Sequence, residues 1–246
     1  MPIYKISPSV LSYGWAGCKH CFYRQTKLGE RQPSIQLPRV FTDFDKLAKE
    51  LILGRHTDEF CPQLPAGIVR YHSNYVLSEP IMFGPDSGLY FSGYIDIAIE
   101  MDAGGYLIPD LKTGSFNEKA LEMYGRQVHA YAHALEHPAR GRMRLSPVKG
   151  LGVLYWSPEF AGATSTELSY GGAFDWREVE RDDAGFRDTL REIVALLDGP
   201  EPQPSICANC EYCTDDAACS AARYGNTPCT CCWWCIYRHG SGLSDD

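Results

Sequence analysis

Charged residues stand inside the most strand-like stretch of this chain, and they limit its folding more than any other feature. "GLYFSGYIDIAIEMD" (88–102) is dominated by aromatic and β-branched residues and reads as strand. "DAGG" (102–105) is a turn, and "YLIPDLKTG" (106–114) returns as the second arm of a hairpin. That arm carries Asp110 and Lys112 beside the apolar Ile108 and Leu111. Buried charges are costly unless they are paired or bind a metal. Side chains alternate along a strand, so Asp110 and Lys112 share a face. The short turn makes Asp96 a near neighbour of Asp110 across the hairpin. Two carboxylates that close repel unless a cation lies between them. Mg²⁺ and Mn²⁺ accept one or two carboxylates plus water and a phosphate. A lysine alongside can orient or deprotonate a metal-bound water and offset developing negative charge.

The surrounding pattern is helix, strands, helix, strand, helix. "DFDKLAKELIL" (43–53) has apolar residues at 44, 47, 48, 51 and 52, a helical spacing, with Thr42 or Asp43 as cap. Residues 55–88 are rich in Pro and Gly and read as irregular. A helix is expected over 117–136, a short buried strand at "GLGVLYWS" (150–157), and a largely helical segment over 175–199. "PEPQPS" (200–205) is a linker. This order implies an α/β (α+β) fold with a small mixed sheet flanked by helices. The expected divisions are 1–56, with Cys18, Cys21 and the first helix, a core over 57–200, and a C-terminal cysteine-rich lobe over 201–246.

The helix after the hairpin contains "QVHAYAHAL", in which Gln127 and Tyr131 are four apart and stack on one face. His129 and His133 are also four apart but have no evident third metal ligand. "GYID" (93–96), "DLKTG" (110–114) and "QVHAY" (127–131) come in the order and at the spacing of the PD-(D/E)XK nucleases, and the chain resembles their RecB-like branch. The resemblance implies a restriction-endonuclease-like core. It implies that Asp96 and Asp110 bind the catalytic Mg²⁺ or Mn²⁺, that Lys112 assists hydrolysis, and that Gln127 and Tyr131 support substrate and site. The branch often adds a metal-binding histidine on its first helix, and His56, soon after that helix, is the candidate here.

Eleven cysteines are present, eight of them within 207–235, and no export signal is visible. That pattern favours metal or cluster ligation over disulfides. Cys210, Cys213 and Cys219 read C-x2-C-x5-C, and "SPSVLSYGWAGCKHCFYR" near the other end supplies Cys18 and Cys21. Iron–sulfur members of the RecB-like branch, among them CRISPR-adaptation exonucleases and AddB-type helicase–nuclease subunits, use one cysteine before the core and three after it. The resemblance places Cys18 with Cys210, Cys213 and Cys219 around a [4Fe–4S] cluster, with Lys19 standing where the family's proline would be. Cys21 and Cys207 are alternative ligands. Four thiolates also suit Zn²⁺. Either occupant would make a metal-stapled lobe joining the chain's two ends. Cys229, Cys231, Cys232 and Cys235 depart from the family's pattern.

The formal net charge of −8 does not suggest nucleic acid, yet the distribution is uneven. Residues 1–56 hold nine Lys/Arg against four acids, and residues 126–150 hold five against one. Local basic patches can track a phosphate backbone on an acidic protein. No apolar run is long enough for a transmembrane helix, and the chain reads as cytoplasmic. The expectation is a metal-dependent DNA nuclease, an exonuclease on single-stranded or end-containing DNA. Its expected protein partners belong to CRISPR adaptation or recombination. The rival is a catalytically inactive nucleic-acid-binding or adaptor module of the same fold, with zinc in place of the cluster.

Overall fold

Strand and helix follow one another as β1 (Ile3–Ile6), α1 (Pro8–Ala16), α2 (Lys19–Tyr23), α3 (Arg39–Ile52), β2 (Gly67–His72), β3 (Tyr75–Leu77), β4 (Ile81–Met82), β5 (Gly88–Tyr94), β6 (Ile97–Met101), β7 (Tyr106–Thr113), α4 (Glu118–Glu136), β8 (Val148–Trp156), β9 (Phe160–Ala163), β10 (Leu168–Gly171), β11 (Phe174–Val179) and α5 (Asp183–Asp198). These bounds come from a computed structural model that describes residues 3–30 and 38–203. The eight cysteines from Cys207 to Cys235, and with them the cysteine-rich lobe, lie outside the described residues.

The main sheet has five strands in the order β11-β8-β7-β6-β2. β7 and β8 are parallel and joined through α4, the crossover a parallel pair requires, while the other neighbours are antiparallel. Gly104 (φ 76°) and Gly105 (φ 84°) make the β6–β7 turn in the left-handed region that glycine enters without strain. A second sheet is built on β5, with β1 parallel to it and β3 and β4 antiparallel. The chain passes from β5 in one sheet to β6 in the other at Ile95–Asp96, so the expected single strand over 88–102 is two. The break falls at the first acidic residue.

The alternation of β7 sorts its residues into two cores. Leu107 and Leu111 pack with Ile52, Val69, Ile97, Ile99 and Leu154. Ile108 faces the larger cluster, where α4, α5, α1 and β5 contribute Val128, Leu135, Leu190, Leu197, Leu11 and Phe91. Asp110 and Lys112 share the parity of Ile108 and turn toward α4. β1 and α1 belong to this same large core. Helix α4 starts where the Asn117 side chain accepts a hydrogen bond from the Ala120 N–H, and α5 where Asp182 accepts from Gly185.

Three expectations need correction. Residues 67–82 hold β2, β3 and β4, although their Pro/Gly content suggested irregular chain. Residues 174–179 are not helical but form β11 against β8, because the edge of the sheet offers a full ladder from Phe174↔Trp156 to Val179↔Leu151. On α3 the expected apolar face is rotated. Leu47 and Leu51 are exposed, and Lys49 is buried with Ile52.

Candidate active site

Asp96 and Asp110 meet where β6 begins and β7 runs through the sheet. The β6–β7 register pairs Ile99 with Leu107 and Glu100 with Tyr106, and its continuation sets Asp96 opposite Asp110. Asp96 Oδ2 accepts the Leu111 N–H at 2.8 Å, which fixes it beside the neighbouring carboxylate. Asp110 is 0% exposed. Its Oδ1 accepts from Gln127 Nε2 at 2.8 Å. Its Oδ2 lies 2.6 Å from Lys112 Nζ as an ion pair, but no hydrogen bond of acceptable geometry reaches that oxygen. One buried carboxylate oxygen thus has the Lys112 ammonium as its partner, beside a second carboxylate.

Gln127 is held in turn. Its Nε2 also donates to the Tyr131 hydroxyl at 3.2 Å, and the Ser12 hydroxyl lies 3.2 Å from its Oε1 and 3.0 Å from the Met123 carbonyl. Gln127 and Tyr131 are both buried. Gln127 braces Asp110 at Oδ1, with Tyr131 beside it, and both are nearly shut off from solvent. Lys112 has a different wall: its Nζ stands 4.8 Å over the Tyr124 ring, whose hydroxyl lies 3.3 Å from that of Tyr13.

Burial and the facing Asp96 push the Asp110 carboxyl up to about 7, more than Lys112 offsets. For Asp96, burial alone would raise the pKa, but Lys112 and Lys49 hold it below the ordinary value. Burial alone would lower Lys112, and the two aspartates outweigh that, so it stays an ammonium. Burial, and then the two aspartates, raise Tyr131.

Lys49 is a site residue that the sequence reading missed. It is 7% exposed on α3, and its Nζ lies 2.7 Å from Asp96 Oδ1 and 2.7 Å from Asp45 Oδ2. The i, i+4 spacing of Asp45 and Lys49 could have suggested an ion pair, but only the packing of α3 carries that pair to Asp96.

His56 is not brought to the carboxylates. Its Nδ1 lies 2.6 Å from Asp58 and its Nε2 3.0 Å from Asp102, at the turn end of the hairpin away from Asp96. Those two hydrogen bonds, Asp102's first, raise its pKa. His129 has both ring nitrogens engaged, Nδ1 with the Gly125 carbonyl at 2.7 Å and Nε2 with the Asp182 N–H at 2.9 Å, and so does not pair with His133 for a metal. Cys18 and Cys21 are buried on or beside α2. The end of α5 docks on that segment. Tyr4 donates to the Leu197 carbonyl at 3.1 Å, Lys27 to the same carbonyl at 2.6 Å, and Glu201 lies 2.8 Å from Arg24 and 3.0 Å from His20.

Among the described residues no three His, Cys, Asp or Glu side chains converge as a metal-ligand group. A hard divalent ion needs no such group. One or two carboxylates, water and a phosphate complete its shell, and the adjacent Asp96 and Asp110 carboxylates fit that requirement.

Residues 28–220 match the PD-(D/E)XK nuclease superfamily. The chain belongs to that superfamily. Its members are generally nucleases and typically use divalent metals such as Mg²⁺. The mixed sheet with helices on both faces is consistent with a restriction-endonuclease-like fold. Among solved structures, the crystal structure of SSO0001 is similar at 16% identity and a TM-score of 0.47, over 85% of this chain and 82% of that one. No curated protein matches the chain. No helix among the described residues is long and apolar enough to cross a membrane.

Proposed function

We propose that the chain is a divalent-metal-dependent DNA nuclease, an exonuclease on single-stranded or end-containing DNA. The observation that carries this reading is the Asp110 carboxylate. It is wholly buried and braced on one oxygen by Gln127, and its other oxygen lies against the Lys112 ammonium with Asp96 alongside. Asp96 and Asp110 would hold Mg²⁺ or Mn²⁺, which when bound polarises a phosphoryl oxygen and lowers the pKa of a coordinated water. Lys112 orients the attacking water and offsets the charge that develops on the phosphate. In the metal-free site its two aspartate partners keep it charged. Gln127, Tyr131 and Ser12 fix the carboxylate so that it need not reorganise as the reaction proceeds. The single-strand preference follows the family resemblance, and the basic surpluses in 1–56 and 126–150 would track the backbone without reading bases.

In the same reading Cys18 joins Cys210, Cys213 and Cys219 around a [4Fe–4S] cluster, with zinc the other occupant such a set accepts. The docking of residues 197–201 on the segment that carries Cys18 supports it. From Glu201, the chain to Cys207 can extend at most about 20 Å.

The test is cleavage of end-labelled single-stranded DNA with Mn²⁺, wild type beside Lys112→Ala. The wild type should cleave. The variant should keep the fold and lose activity by about a hundredfold or more. A variant as active as wild type, or a wild type inert on single strands and ends alike, refutes the reading.

A further inference from the structure

Lys49 has no part in the chemistry above, yet it is buried against one of the two central carboxylates. A lysine is almost never buried unless paired, and this one is paired with two carboxylates from different elements. Asp96 Oδ2 accepts the Leu111 N–H and its Oδ1 is held by Lys49, so both oxygens already have a partner before any ion arrives. We infer that Lys49 is a tethered cation that neutralises Asp96 in the metal-free protein, and that a divalent ion gains Asp96 by displacing it.

The inference rests on the reading of Asp96 and Asp110 as the metal's ligands. An ammonium at hydrogen-bond distance from a carboxylate cannot keep that place beside a dication without strong like-charge repulsion in a site shielded from water. Asp45 gives it somewhere to go. Asp45 lies one turn earlier on the same helix, is part-exposed, and contacts Lys49 at 2.7 Å. The lysine can release Asp96 and keep Asp45 through its own side-chain torsions, with no movement of α3. Metal affinity is then set by a competition within the protein. Without Lys49 and without metal, Asp96 and Asp110 would face each other with only Lys112 between them and solvent.

The experiment is Mn²⁺ binding by calorimetry on the full chain without nucleic acid, together with thermal unfolding in EDTA and in Mn²⁺. The variant is Lys49→Met, which keeps the length and removes the charge. It should bind Mn²⁺ about tenfold more tightly or better, unfold at lower temperature in EDTA, and gain more from Mn²⁺ than wild type does. Equal or weaker binding overturns the inference and makes Lys49 a residue that positions Asp96 in the loaded site. Should the variant be unfolded in EDTA, recovery of the fold on adding Mn²⁺ supports displacement, and no recovery refutes it. The milder Lys49→Gln should shift Mn²⁺ affinity in the same direction. If wild type binds Mn²⁺ in this pattern yet cleaves no DNA, the nuclease reading falls and the displacement stands.

Discussion

Replacing Gln127 with methionine would remove its hydrogen bond to Asp110 Oδ1 and leave the packing volume almost unchanged. The glutamine amide donates at 2.8 Å to a carboxylate with no access to water. A net hydrogen bond to a charged group is worth about 1.5–3 kcal/mol, and an orphaned buried acceptor costs a similar desolvation penalty. Methionine fills a space of nearly the same size, so no cavity cost is added. The Tyr131 hydroxyl loses a weaker contact at 3.2 Å, and Ser12 keeps the Met123 carbonyl as an acceptor. The expected loss is therefore about 2–3 kcal/mol, or about 4–12 °C in Tm for a chain of this size. Urea unfolding in EDTA, followed by circular dichroism, should show a lower midpoint with an unchanged slope. Asp110 should also protonate at higher pH, and cleavage should weaken, because the carboxylate is no longer braced. A stability within about 0.5 kcal/mol of wild type would show that Gln127 does not hold Asp110, and the account of the site's rigidity would fail.

Two further outcomes follow from other parts of the chain. His133 lies against Phe91 and His137, and burial first, then His137, hold its pKa down to about 4. The unfolded chain takes up that proton nearer pH 6.5, so stability is lost as pH falls from about 6.5 toward 4, by about 3 kcal/mol at most. His133→Met should flatten the fall of the urea midpoint across that window, and an unchanged pH profile would contradict the assignment. Cys213→Ser should lose iron, visible absorbance and solubility together, since a cluster that joins the two ends contributes to folding. Unchanged iron content would remove Cys213 from the proposed ligand set.

Much of the site is legible without the fold because its parts obey local rules. The period of two puts Asp110 and Lys112 on one face, the two-glycine turn brings Asp96 back to Asp110, and the four-residue spacing stacks Gln127 under Tyr131. The role of Gln127 is not local. Its reach to Asp110 depends on how α4 crosses behind β7, and its support from Ser12 depends on α1, 115 residues away in the chain. His56 shows the converse. Its nearness to α3 in sequence suggested a ligand, but the 3-10 turn over Thr57–Glu59 sends it to Asp102.

The sequence by itself determined the hairpin, the helix that follows it and the residue types that can bind a metal and a phosphate, because these depend on periodicity and turn chemistry over a few residues. Tertiary structure alone decided which face of α3 is buried. Apolar periodicity points Leu47 and Leu51 inward. The chain instead buries Lys49, since the Asp96 carboxylate, 47 residues on and itself needing a counter-charge, waits on that side.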